Sequence, residues 1–217
     1  GFVTQNVNLT VTPVNDAPIF NNTSFTINED SSLTINPTML GASDIETPLA
    51  SLTVSNVEII SGGGSYNAGV YTPAANYNGP VVLSVTVSDG NGGFVTQNVN
   101  LTVTPVNDAP VSSPISLAAT NEDTAIVYTK AQLLAGSSDV DGDALSITSI
   151  SADHGTITVS GDNYTFTPDL NYNGPVVISY TVSDSNGGTV AAQANLNINP
   201  VNDAPVSSPI SLAATNE

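Results

Sequence analysis

No cysteine and no tryptophan occur in these 217 residues, arginine is absent, and Lys130 and His154 are the only lysine and histidine. Each absence closes off chemistry. Without cysteine there are no disulfides to reinforce a small core and no thiolate nucleophile. With one histidine and no cysteine, a zinc site lacks its usual nitrogen and sulfur ligands. One cation against 19 acidic residues gives a net charge of −18. Nucleic-acid binding needs cationic contacts to phosphate, and anionic membrane surfaces attract basic segments, so both partners are excluded for this segment. No apolar run reaches the roughly 20 residues of a membrane-spanning helix, so insertion by this segment is not expected.

What is present is repetition. Residues 1–18, GFVTQNVNLTVTPVNDAP, recur letter for letter at 93–110, and VNDAPVSSPISLAATNE at 106–122 recurs at 201–217. The periods are 92 residues from Val14 to Val106 and 95 from Val106 to Val201. Near-identical tandem units supply length or multivalency rather than one unique active site. The segment PVNDAP occurs at 13–18, 105–110 and 200–205; proline on both sides stiffens the backbone and marks a linker. The expected organisation is the last strand of a preceding repeat plus linker at 1–16 and complete repeats at 17–105 and 106–200. The linker and first strand of a following repeat are expected at 201–217.

Within each repeat, period-2 segments bounded by Gly, Asn, Asp or Pro read as strands. In the first they are 24–28, 32–36, 51–60, 70–73, 81–88 and 94–104. In the second they are 115–119, 125–129, 144–151, 156–160, 164–168, 176–183 and 189–199, with about one helical turn at 130–136. Six or seven short strands in about 90 residues predict an all-β fold: tandem Ig-like antiparallel β-sandwiches in a head-to-tail rod.

The acids are clustered, and both repeats carry the same four elements in the same order. The linker pair is Asn15-Asp16, then Asn107-Asp108, then Asn202-Asp203. A turn after the first strand carries Glu29-Asp30, then Glu122-Asp123. A D-x-D/E loop carries Asp44 and Glu46, then Asp139, Asp141 and Asp143. A glycine-rich turn before the last strand carries Asp89, then Asp184. A Ca²⁺ ion takes about 6–8 oxygens, several from carboxylates, and no single element supplies that many. Pooled at the loop ends of a sandwich, the four could. Read alone, SDGNGG fits a plain turn and a ligand loop equally; the recurrence of all four elements without basic counter-charge points to Ca²⁺.

The segments YTPAANYNGPVVLSVTVSDGNGG (71–93) and FTPDLNYNGPVVISYTVSDSNGG (166–188), with VNDAP, NED and DVDGD, resemble the cadherin-like tandem repeats of giant bacterial adhesins of the RTX type. That resemblance implies Ig-like extender domains, secreted to the bacterial cell surface, stacked in many copies and stiffened by Ca²⁺ at their junctions. By likeness to cadherins, Asn107-Asp108 would share ions with Glu29, completed by Asp139, Asp141 and Asp184. Asn15-Asp16 would join Asp44, Glu46 and Asp89, and Asn202-Asp203 would meet Glu122. Where cadherins carry an acidic D-x-E-type motif, this chain has Asn76-Tyr77-Asn78 and Asn171-Tyr172-Asn173, and Pro13, Pro105 and Pro200 replace the first linker Asp. Fewer or weaker ions per junction are therefore expected. The implied partners are Ca²⁺ and neighbouring repeats of the same chain, itself monomeric; direct binding of a glycan, ice or a like repeat is the alternative.

Nothing in the residues supports catalysis. His154 in Asp153-His154-Gly155 has no nucleophile motif near it and no counterpart in the first repeat, so a turn role is expected. Tyr77 and Tyr172, each before Asn-Gly-Pro, are expected to pack at a corner of the core.

Overall fold

A computed structural model describes residues 1–205 and 207, and divides the chain into two compact units, Gly1–Val106 and Asn107–Glu217. The strand expected near the C-terminal end, in 205–217, falls almost wholly outside the described residues.

The first unit contains β1 (Ser24–Asn28), β2 (Leu33–Thr34), β3 (Thr53–Ser61), β4 (Ser65–Asn67), β5 (Val70–Thr72), β6 (Gly79–Ser88) and β7 (Phe94–Thr104). One sheet has the order β1-β7-β6-β3 and the other β2-β5-β4. β6 and β7 form a long hairpin from Gly79↔Val103 to Ser88↔Phe94. Strict alternation turns Val81, Leu83, Val85, Val87, Val99, Leu101 and Val103 inward, where they join Phe20, Leu40 and Tyr71 in one core. The pattern 32–36 shortens to two paired residues, and β4 was not anticipated.

The second unit repeats the plan with β8 (Val111–Ser112), β9 (Ile115–Ser116), β10 (Thr120–Asn121), β11 (Ile126–Thr129), β12 (Ser137–Ser138), β13 (Ser146–Ala152), β14 (Gly155–Ser160), β15 (Asn163–Pro168), β16 (Gly174–Ser183) and β17 (Thr189–Asn199). One sheet runs β10-β17-β16-β13, with β9 also on β17; a second runs β11-β15-β14; β12 pairs with β8. The helical turn is real: α1 (Lys130–Leu133) starts on a Thr129–Gln132 capping box.

The sandwiches are not purely antiparallel. β1 runs parallel to β7, from Ser24↔Asn100 to Asn28↔Thr104, and β9 and β10 run parallel to β17. Alternation cannot reveal this, because strand direction leaves the inward and outward pattern unchanged.

Residues 1–12, expected to be the last strand of a preceding repeat, are in no strand of this chain. Phe2, Val3, Val7, Leu9 and Val11 are all exposed. The same letters at 94–104 form β7 because β6 and β1 lie on either side of them. None of the described strands pairs with 1–12. An isolated strand leaves its backbone donors and acceptors to water and gains nothing from alternation.

Candidate metal-binding loops

In the first unit, Asp44 follows an isolated bridge between Ile19 and Ser43 and caps its own loop. Its Oδ1 accepts from the backbone N–H of Glu46 at 3.0 Å and of Thr47 at 2.7 Å. Glu46 Oε2 accepts from the Asp16 N–H at 3.2 Å. Asp89, 4% exposed, closes the turn before β7 by accepting from the N–H groups of Asn91 and Gly93 at 2.7 and 3.0 Å. Its other oxygen accepts from the Asn15 side-chain amide at 2.7 Å. That amide bond, helped by the turn N–H groups and opposed by burial, holds the Asp89 carboxyl below its ordinary range.

The second unit follows the same plan with a loop one residue longer. Asp139 Oδ1 accepts from the N–H groups of Asp141 and Asp143 at 2.9 and 3.3 Å, and Asp141 Oδ2 from that of Asp108 at 2.8 Å. Asp184 Oδ2 accepts from the Asn107 amide at 2.8 Å, and Asp184 Oδ1 from the N–H groups of Asn186 and Gly188 at 2.8 and 2.9 Å. The Asn107 bond is again the main cause of a lowered Asp184 carboxyl.

Two observations test whether a cation suits these loops. First, Asp44 Oδ2 and Asp139 Oδ2, equivalent atoms of the two repeats, are both buried without a hydrogen-bond partner. A buried carboxylate oxygen with no donor carries an uncompensated desolvation cost, which a metal ion removes. Second, Asp139, Asp141 and Asp143 each bring a carboxylate oxygen to within 4.8 Å of the others. Oxygens bound to one Ca²⁺ at about 2.3–2.6 Å lie no more than about 5 Å apart, so the triad fits. The first unit has Asp44 and Glu46 in the corresponding loop, but its third position is the buried hydroxyl of Thr47, which accepts from the Asn91 amide at 3.4 Å. In the second unit the Asn186 amide donates instead to Asp143 at 2.7 Å. The repeats therefore offer unequal donor sets.

The remaining predicted residues lie elsewhere in their units. Glu29, 2% exposed, accepts the Val106 N–H at 2.7 Å, while its Oε2 is buried without a partner. Glu122 accepts from Val201 N–H and from the Asn173 amide at 3.4 Å. Asp30 and Asp123 are exposed turn residues with φ of 58° and 57°; Asp123 accepts from the Asn171 N–H at 3.0 Å. Asn202 and Asp203 are exposed, and the Asn202 amide donates to the Asp203 carbonyl at 3.2 Å.

Sequence reasoning missed the role of the second glycine in each NGG. A Cβ on Gly93 would fall on Asp89 Oδ2 and lie 2.8 Å from the Asp16 carbonyl oxygen. One on Gly188 would fall on Asp184 Oδ2 and lie 2.7 Å from Ala109 Cα. The linker backbone lies directly against these glycines, so the doublet is more than turn chemistry; its recurrence beside PVNDAP was the available signal. Tyr77 and Tyr172 pack on their cores and donate to the carbonyls of Pro80 and Pro175, both at 2.7 Å, a corner role as expected. His154 lies in the bend before β14 and stacks on Tyr172 at 4.0 Å. No helix among the described residues is long and apolar enough to cross a membrane.

Among solved structures the chain is similar to human mucin-like protocadherin EC1-2, at 17% identity over 85% of this chain and 98% of that one, with a TM-score of 0.43. The human desmocollin-1 ectodomain matches at 16% identity over 86% and 41%, with a TM-score of 0.40. The endo-fucoidan hydrolase MfFcnA4 of glycoside hydrolase family 107 matches at 22% identity and a TM-score of 0.36; the match covers 89% of this chain but only 30% of the hydrolase. No curated protein sequence matches significantly. The cadherin-like domain model matches residues 14–104 and again 106–199, which together make up most of the sequence, and the chain belongs to that family.

Proposed function

We propose that this segment is a pair of non-catalytic, Ca²⁺-binding extender repeats of a secreted bacterial cell-surface adhesin of the RTX type, projecting a distal ligand-binding region for adhesion or biofilm formation. The observation that carries the reading is the matched pair of orphaned buried oxygens, Asp44 Oδ2 and Asp139 Oδ2, the second within a carboxylate triad, in a chain with one basic residue beside its single histidine. Asp44, Glu46 and Asp89 would hold an ion in the first unit, and Asp139, Asp141, Asp143 and Asp184 in the second. Bound Ca²⁺ supplies charge neutralisation and a rigid crosslink. The chain's own part is to tie linker to loop: Asn15 and Asp16 are already anchored to Asp89 and Glu46, and Asn107 and Asp108 to Asp184 and Asp141. An ion that binds only the ordered loop stabilises it by mass action. Extracellular modules bind Ca²⁺ with Kd of about 10⁻⁴–10⁻³ M, so free Ca²⁺ outside a cell suffices.

Small-angle scattering and calorimetric Ca²⁺ titration of the whole chain test this together. Saturable binding accompanied by loss of flexibility is expected. A scattering curve identical in Ca²⁺ and in chelator would remove the stiffening role.

A second reading, direct ligand binding by the repeats, has one observation in its favour. The outer face of β13, β16 and β17 forms a shallow groove lined by Ser149, Ser151, Ser179, Thr181 and Gln193, a hydroxyl-rich surface suited to sugar. A glycan array separates the two readings, because a spacer is inert on it.

A further inference from the structure

Four Asn-Gly pairs occur in the sequence: Asn78-Gly79, Asn91-Gly92, Asn173-Gly174 and Asn186-Gly187. Asn-Gly is the dipeptide in which a main-chain nitrogen most easily reaches the preceding side-chain amide, because glycine has no side chain to obstruct it. The structure treats the four differently. Gly79 and Gly174 open β6 and β16 and are paired with Val103 and Ile198, so their backbone is held in a ladder.

The other two occupy equivalent exposed turns in front of β7 and β17, so exposure does not distinguish them; hydrogen bonding does. The Asn186 amide is held by the charged Asp143 carboxylate at 2.7 Å. Swinging that amide toward Gly187 breaks a charge-assisted bond. The Asn91 amide has only the neutral Thr47 hydroxyl at 3.4 Å, a weak contact. The two glycines themselves are alike, with φ of +108° at Gly92 and +116° at Gly187, so the difference lies in the asparagine amides.

We propose that Asn91-Gly92 is a site of spontaneous covalent modification, the labile member of the pair, and that Asp143 protects Asn186. The Gly92 nitrogen attacks Cγ of Asn91; the new C–N bond closes a succinimide, the bond from Cγ to Nδ2 breaks, and Nδ2 leaves as ammonia with the proton lost from Gly92. Water, the sole co-reactant, then opens the ring at either carbonyl to give aspartate or isoaspartate. The aspartate product places a new carboxylate beside Thr47, where the first unit has one loop acid fewer than the second. The chemistry stands apart from the Ca²⁺ reading, on which only this last consequence depends.

The test is peptide mapping by mass spectrometry of the whole chain, aged at mildly alkaline pH in chelator, folded and in urea. In urea the two turns are expected to convert at similar rates. In the folded protein Asn91 is expected to convert several-fold faster than Asn186, and Asp143→Ala to raise the Asn186 rate toward that of Asn91. Asn91→Gln is expected to remove the modification at that turn. Equal folded rates, or an Asn91 that stays intact while the unfolded chain converts, would overturn the proposal. Chelator keeps the outcome independent of whether Ca²⁺ binds.

Discussion

The side-chain amide of Asn107 donates to Asp184 Oδ2 at 2.8 Å, and Asn15 stands in the same relation to Asp89 at 2.7 Å. The linker asparagine of each repeat thus completes a carboxylate belonging to the turn before the last strand. Both carboxyls are lowered in the folded state from an unfolded value near 3.8. A depressed folded value contributes stability that is fully present above pH 3.8 and is lost as pH falls through the folded value. Thermal unfolding is therefore expected to hold steady above that pH and fall below it. Asn15→Ala and Asn107→Ala are expected to flatten the acid decline, read from melting temperature against pH.

Gly188→Ala is expected to destabilise the second unit by about 1–3 kcal/mol, the usual cost of forcing added atoms into a packed site. The new methyl meets Asp184 and the backbone of Ala109. Hydrogen exchange at the Asp108 N–H is expected to accelerate more than exchange in the centre of β16, because the linker lifts before the sheet opens.

Asp139→Asn is expected to raise the melting temperature in chelator while abolishing the rise that Ca²⁺ produces. It relieves repulsion within the triad and removes a carboxylate whose Oδ2 has no partner. Calorimetric titration should show one class of ions lost. Unchanged Ca²⁺ stabilisation would move the ion away from this loop.

Leu9 and Leu101 occupy the same place in identical sequences, yet Leu9 is 85% exposed and Leu101 1%. Leu101→Ala is expected to cost about 2–5 kcal/mol in urea unfolding, as buried leucine truncations do, and Leu9→Ala to change nothing measurable.

Those two leucines also show what the letters could and could not convey. Alternation placed β1, β6, β7, β16 and β17 nearly to the residue, because a half-buried strand writes its burial into every second position. The same pattern at 1–12 pairs with no described strand, because a pattern records the face a strand would bury and not whether a neighbour is there to receive it. The strands β4, β8, β10 and β12, of two or three residues, are too short to carry a period. The acids of the loops were legible as clusters. The orphaned oxygens, the unequal third position at Thr47 and Asp143, and the close approach of linker to Gly93 and Gly188 depend on distances, which clustering does not encode.

The parallel pairing of β1 with β7 has a mechanical consequence. β1 lies near the start of its repeat and β7 runs to its end, side by side over Ser24–Asn28 and Asn100–Thr104 and pointing the same way. Tension applied through the two termini pulls these strands in opposite senses along their length. Their hydrogen bonds are then loaded together in shear and must fail as a group, whereas a hairpin pulled from its open end would unzip bond by bond. A repeat built this way resists being drawn out by flow, and its strength under load is set by five residue pairs at one edge of one sheet.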